Sequence, residues 1–287
     1  MTFPSIAERL KTVSEVLQYR ADLHEYLELQ KKILLAQSEM DIYSKKTRAD
    51  WIGKLSLSSL EKKVLDTKEP LVHFLDFTVF DANTLVSIFR KVVEALISKY
   101  PKTNGLRKLV NHLNSIEIDF VKLVEASLRE DKAPIIKYSE EFKIEASSLL
   151  FAVNASVQPF IEEISRRVTP TFYDKWWREQ CPICGKTPSV ARIRNRRRYL
   201  MCDFCGAEYP SDYFLCVHCG NKDPYTLKYL IIDEKPEFQI DFCTKCNHYV
   251  KVIITNALKE PIPRFLEDIL TLNLDIEAKN AGLLRDS

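Results

Sequence analysis

Glycine is scarce in this chain, at six residues in 287, which argues against a loop-rich or low-complexity protein. No uninterrupted apolar run approaches the roughly 20 residues needed to span a bilayer. The opening Met1-Thr-Phe-Pro-Ser5 lacks a basic segment followed by an apolar run, so it does not read as a signal peptide. The net charge of +2 is too small for the whole chain to act as a polycation on nucleic acid. Cysteine is absent from residues 1–180 and again from 247–287. These absences together predict a reducing, cytoplasmic setting in which thiols stay free.

All eight cysteines lie between Cys181 and Cys246, as four C-x-x-C pairs: Cys181/Cys184, Cys202/Cys205, Cys216/Cys219 and Cys243/Cys246. Two-residue spacing lets both thiolates of a pair face one ion, and two pairs complete a tetrahedron. The residue after each second cysteine is Gly185, Gly206, Gly220 or Asn247, types that tolerate a left-handed backbone. That turn aims backbone N–H groups at sulfur, the pattern of a metal knuckle. Disulfides need an oxidising compartment, and a thioredoxin-like redox pair is a single C-x-x-C at a helix start. Neither explains four copies, so the chain is expected to hold two metal ions.

Spacing also sorts the ligands. Pairs one and two are 17 residues apart (185–201), and pairs three and four are 23 apart (220–242), enough for a returning hairpin in each case. Only ten residues, 206–215, separate pairs two and three, which suits a linker. The expected sites are therefore Cys181, Cys184, Cys202 and Cys205 for one metal, and Cys216, Cys219, Cys243 and Cys246 for the other. A cross-braced, interleaved arrangement is the alternative. Four thiolates leave no open position, which is the structural rather than the hydrolytic pattern, and the donor set suits both iron and zinc. His218 and His248 are expected to be exposed knuckle residues rather than ligands.

The first 170 residues carry a helical period. Ser5-Ile-Ala-Glu8 has the form of a capping box, and Leu10, Val13 and Leu17 follow on one face. Leu23, Tyr26, Leu27, Leu34 and Leu35 suit a second helix through about Met40. Residues 44–80 have no clear period, and Ser58 or Ser59 is expected to cap a short helix before Pro70. Asp81 reads as an N-cap for a helix bearing Leu85, Ile88, Phe89, Val92, Val93 and Leu96, closed by Pro101. A single helix is expected over 106–128 and another from Pro134 or Ser139 to Val153, with Pro159 separating it from a segment over 160–168. Pro170 marks a boundary, and Trp176-Trp177 leads into the first knuckle as packing aromatics. No catalytic constellation is visible in this half.

Beyond it, 189–194 and 198–201 are expected to form a hairpin about Asn195. Residues 225–232 and 237–242 are expected to form another about Asp233-Glu-Lys-Pro236, and 249–254 a further strand. Phe265, Leu266, Ile269, Leu272 and Ile276 form a helical face in the tail, expected to dock on the helical bundle. The resulting expectation is an α+β chain: a helical domain (1–172), two four-cysteine modules (173–212 and 213–257) and a docking C-terminal helix (258–287). Modules of this size lack a sufficient core of their own, so metal binding supplies folding energy.

Several stretches resemble the formate dehydrogenase accessory protein FdhE family. The carriers are Trp177-Arg-Glu-Gln-Cys-Pro-Ile-Cys-Gly-Lys-Thr-Pro188, Arg198-Tyr-Leu-Met-Cys-Asp-Phe-Cys-Gly-Ala-Glu208, Leu215-Cys-Val-His-Cys-Gly220, Cys243-Thr-Lys-Cys-Asn-His-Tyr-Val-Lys251 and the closing Leu266-Glu-Asp-Ile-Leu-Thr-Leu-Asn-Leu-Asp275. The resemblance runs from about residue 175 to 282. Asn247 departs from the family's usual glycine, and Gly206 from its common residue there; neither removes a ligand. The resemblance implies two rubredoxin-like subdomains, iron binding through the cysteines, and a non-catalytic role in producing active formate dehydrogenase through contact with its catalytic subunit. A competing function is that of a zinc-ribbon nucleic-acid binder. Arg192, Arg194, Arg196, Arg197 and Arg198 crowd one hairpin, and residues 181–205 carry six positive charges and one negative. Residues 216–246 carry four lysines against five acidic residues, so the basic face does not continue. Arg194, Arg196 and Arg197 are accordingly expected at a protein-partner interface, where guanidinium forks suit carboxylates.

Overall fold

The computed structural model describes residues 3–40, 51–100, 105–113, 118–232 and 235–285. Pro101, the residues 44–50 and the turn residues Asp233 and Glu234 lie outside these. The chain is α+β and divides into a helical unit (Pro4–Leu57, Val72–Ile164) and a sheet unit (Met1–Phe3, Ser58–Leu71, Ser165–Ser287).

In the helical unit, α1 (Ile6–Val16) starts at Ser5 with the expected capping box: the Ser5 hydroxyl accepts from Glu8 N–H, and the Glu8 carboxylate accepts from Ser5 N–H. α2 (His24–Gln37) packs on α1 and on α4 (Ala82–Lys99), which Asp81 caps through Thr84 N–H. Leu85, Ile88, Phe89 and Val92 are sealed from water along α4, each contributing about 1.5–3 kcal/mol by burial. Trp51, Phe80 and Phe160 form an aromatic cluster with centroids 5.1–5.6 Å apart. Arg9 and Glu162, both 1% exposed, make a bidentate ion pair of 2.8 and 2.5 Å.

Two helix boundaries differ from expectation. The single helix expected over 106–128 is two, α5 (Gly105–His112) and α6 (Phe120–Leu128), because Asp119 accepts from Lys122 N–H and begins a new helix. After α7 (Lys132–Phe142), Lys143 ends the helix with left-handed backbone, and α8 (Ala146–Arg167) then runs unbroken through Pro159. Proline withholds the N–H that would bond the carbonyl four residues back. That carbonyl belongs to Ala155, and the Gln37 side-chain amide donates to it at 2.9 Å. A residue 118 positions away thus satisfies the group that proline leaves open.

The sheet unit includes α3 (Leu57–Thr67), the short helix expected before Pro70, which starts at Leu57 so that Ser58 and Ser59 lie inside its first turn rather than capping it. Its Glu61 accepts from Thr169 N–H and Oγ at the start of α9 (Pro170–Asp174), which has proline in its first turn as its fixed φ favours. Six strands follow: β1 (Val190–Arg194), β2 (Arg197–Met201), β3 (Glu208–Ser211), β4 (Leu227–Ile231), β5 (Phe238–Cys243) and β6 (Tyr249–Ile254). They form one sheet in the order β3-β2-β1-β6-β5-β4. The β1–β2 hairpin turns on Asn195 and Arg196, both left-handed at φ 51° and 57°. The ten residues expected to be a linker hold β3, with Tyr209 fully buried. Pro210, which has no N–H to donate, is tolerated because β3 is an edge strand with a partner on one side only. A parallel pairing of β1 with β6, Val190 against Lys251 through Ile193 against Ile254, joins the two hairpin regions.

The tail forms α10 (Glu267–Leu270) and α11 (Leu272–Asn280). The expectation that it docks on the helical bundle is corrected: α11 packs on β5 and β6, where Leu274 and Ala278 meet Ile240 and Tyr249. Ile276, placed on the docking face by sequence, is exposed, because the buried pair Leu274/Ala278 lies at i, i+4 on a different side of the helix.

Candidate metal centres

Each C-x-x-C lies on a tight turn closed by a backbone bond: Gly185 N–H to Cys181 O, Gly206 to Cys202, Gly220 to Cys216 and Asn247 to Cys243, at 2.7–3.0 Å. All four closing residues are left-handed, with φ 76°, 72°, 67° and 61°. At the second centre these turns aim N–H groups at sulfur, His218 and Cys219 toward Cys216, and Lys245 and Cys246 toward Cys243. The Asn221 amide adds a donor to Cys243 Sγ at 3.4 Å.

The turns pair across each hairpin. Cys181, Cys184, Cys202 and Cys205 converge as one group, and Cys216, Cys219, Cys243 and Cys246 as another, with all ligand atoms of a group within 4.8 Å of one another. Sulfur–sulfur separations are 3.4 Å for Cys181–Cys205 and Cys184–Cys202, 3.6 Å for Cys216–Cys246 and 3.9 Å for Cys219–Cys243. A tetrahedron with metal–sulfur bonds of about 2.3 Å has edges of about 3.8 Å, whereas a disulfide bond is about 2.05 Å. The separations therefore fit a four-thiolate metal site, and all eight cysteines are unbridged.

The electrostatics agree. Burial, with neighbouring sulfurs, pushes the Cys181 and Cys205 thiols well up, and burial does the same to Cys216. Burial also works against ionisation of Cys243, but the N–H donors of Cys246 and Lys245 outweigh it and bring this thiol down to about 7. Four thiolates so close together need a cation to hold them deprotonated, which is what a bound metal supplies.

No protein-family model matches the chain. A relative named Protein FdhE homolog, from Aquifex aeolicus (strain VF5), is 28% identical over 188 residues, covering 64% of this chain. The match spans 62% of that relative's length. The crystal structure of the FdhE protein from Pseudomonas aeruginosa shares the fold, with a TM-score of 0.59 and 20% identity over 99% of this chain and 95% of that one. This chain is similar to FdhE proteins.

Around the metal groups of this FdhE-like chain, the structure redistributes the other singled-out residues. Three of the five clustered arginines are engaged inside the sheet unit. Arg192 is buried and donates to Glu267 (2.8 Å) and Ile262 O (2.9 Å). Arg194 pairs with Glu208 at 2.8 Å and covers the Tyr199 ring. Arg198, 2% exposed, donates to Ser211, Asp212 O and Leu215 O and faces Asp241 at 3.5 Å. Arg196 and Arg197 remain exposed at the turn. Like-charge crowding on the hairpin is thus relieved by neighbouring strands and α10.

The histidines are half-buried rather than exposed. Their rings stack at 4.7 Å, and each donates to a carbonyl, His218 to Tyr249 O and His248 to Cys246 O. Trp176 is buried and donates to Gln180 O beside the first knuckle, whereas Trp177 is half-exposed and donates to Asp174 O. Lys251, which sequence reading passed over, is fully buried and pairs with Asp268 (2.7 Å) and Asp275 (2.8 Å). Arg285 closes the same network onto both carboxylates at 2.7 and 2.8 Å. The available signal was a lone lysine within the apolar strand 249–254. Phe3 and Pro70, which lie against knuckle glycines of the first group, carried no sequence signal at all.

Proposed function

We propose that the chain is a non-catalytic accessory factor needed to form active formate dehydrogenase, and that it binds the enzyme's catalytic subunit. The observation that carries this reading is the pair of four-cysteine groups held on one sheet within a chain similar to FdhE proteins. Each group holds one metal ion, iron or zinc; zinc supplies folding energy alone, whereas iron adds a one-electron couple. The setting proposed is the cytoplasm, before the client is exported. Among the described residues no helix is long and apolar enough to cross a membrane. The partner face includes Arg196 and Arg197 at the exposed hairpin tip, with Arg194 contributing beside them. The nucleic-acid reading is disfavoured, because Arg192 and Arg198 are buried in internal bonds and do not extend a basic surface.

The test has two arms. A strain lacking this chain should lose formate dehydrogenase activity, and the wild-type gene should restore it. The tagged chain should co-purify with the catalytic subunit, and the Arg194/Arg196/Arg197→Ser triple variant should capture less of it with its metal content unchanged. Full enzyme activity in the deletion strain would end the accessory reading. Loss of duplex or single-strand binding in the triple variant, with client capture intact, would favour nucleic acid instead.

A further inference from the structure

The two metal groups have identical donors but different access. The first group is sealed, with Cys181, Cys184, Cys202 and Cys205 all at 3% exposure or less. In the second, Cys216 and Cys243 are buried, Cys246 is half-buried and Cys219 is exposed.

The cause is visible at the residue that follows each knuckle. A Cβ on Gly185 would lie 3.2 Å from Pro70 Cγ, and one on Gly206 would lie 2.4 Å from the Phe3 ring. Both knuckles of the first group are therefore roofed by protein. Leu71 N–H donates to Pro182 O at 2.9 Å, fixing the Pro70 side of that roof. Arg264 donates to Gly206 O at 3.0 Å and its guanidinium lies 5.7 Å from the Phe3 ring, fixing the other. In the second group, Asn247 is tied down by its amide to Gly282 O and by Leu284 N–H to its own carbonyl. That covers the Cys246 side. A Cβ on Gly220 would meet nothing within 4 Å among the described residues, so none of them roofs the Cys219 side.

Resting on the reading that each group holds a metal, we propose that the second group is an open, ligand-exchanging centre in which Cys219 is the displaceable sulfur, and that the first is a closed structural centre. A shell that excludes solvent slows ligand substitution, and among the described residues the Cys219 edge lacks one. The entering group is a low-molecular-weight thiol. Its sulfur would bond to the metal as the bond from Cys219 breaks, and the proton given up by the entering thiol would pass to the released Cys219 sulfur. No electron changes hands. The reaction gives the second centre a route for loading and unloading metal that the first lacks.

The experiment uses the metal-loaded full chain, with metal content measured before and during incubation in excess EDTA. Two equivalents should be present at the start; fewer would defeat the reading that both groups hold metal. One equivalent should then leave at least about tenfold faster than the other. Reduced glutathione should accelerate only the fast equivalent. Iodoacetamide present during the fast phase should label Cys219 before any cysteine of the first group, as read by peptide mass spectrometry. Phe3→Ala, which removes one roof, should speed the slow equivalent and leave the fast one unchanged. Two equivalents leaving at one rate, first labelling within Cys181–Cys205, or a fast phase indifferent to glutathione would each overturn the inference while leaving metal binding intact.

Discussion

At the scale of single residues, the side chains that matter most to stability answer a specific deficit. Gln37 is 1% exposed and donates both to Ala155 O and to Gln158 Oε1 at 2.9 Å. Gln37→Leu keeps the volume but leaves the carbonyl opposite Pro159 without a donor in a buried setting. The expected cost is about 1–3 kcal/mol, read as a lower urea midpoint with unchanged slope. An unchanged midpoint would mean that another group reaches Ala155. The two adjacent tryptophans should separate sharply. Trp176→Ala empties a buried site and should cost about 3–5 kcal/mol, whereas Trp177→Ala removes a half-exposed ring and should stay within about 1 kcal/mol. Equal losses in urea titrations of the two variants would show that Trp177 has a packing role its exposure does not suggest.

At the scale of elements, the tail helices are tied to the sheet by charge as well as by Leu274 and Ala278. Lys251 on β6, Asp268 on α10, Asp275 on α11 and Arg285 after it form one ion network around the buried lysine. Burial alone would raise the Asp268 carboxyl, but Lys251 and then Arg285 outweigh it and hold it below the usual carboxylate range. With its folded value depressed, the unfolded chain takes up this proton first as pH falls. The stability Asp268 adds is therefore complete above its unfolded value, about 3.9, and drains away as pH drops through the folded one. Asp268→Asn should lower the melting temperature by a constant amount above about pH 5, and the gap to wild type should narrow toward pH 3. A gap that widens in acid would reverse the sign and place the network's strength elsewhere.

At the scale of the whole molecule, the parallel β1–β6 ladder places both four-cysteine groups on one sheet. Cys181→Ser with Cys184→Ser should reduce metal content from two equivalents to one. It should also weaken the second region, since β6 would lose a neighbour ordered by the first knuckles. Hydrogen exchange should find the Lys251 amide, which donates to Ser189 O, less protected in the double variant. Full protection there would establish that each group folds its hairpin independently.

Local chemistry was readable in the linear order of residues. Spacings of 17 and 23 residues sorted eight cysteines into two groups. Ser5 and Asp81 announced helix starts, and Asn195 announced a hairpin turn, because caps and turns are made by residues within a few positions of each other. Long-range compensation was not readable. Pro159 looks like a helix break until Gln37 arrives from another helix. Five arginines look like one binding face until Glu267, Glu208 and Asp241 come from later strands and helices to meet three of them. The inequality of two groups with the same ligands depends on Phe3 and Pro70, more than a hundred residues before the cysteines they cover. A C-x-x-C pair specifies what can bind; the chain folded over it sets how freely solvent and ligands reach what is bound.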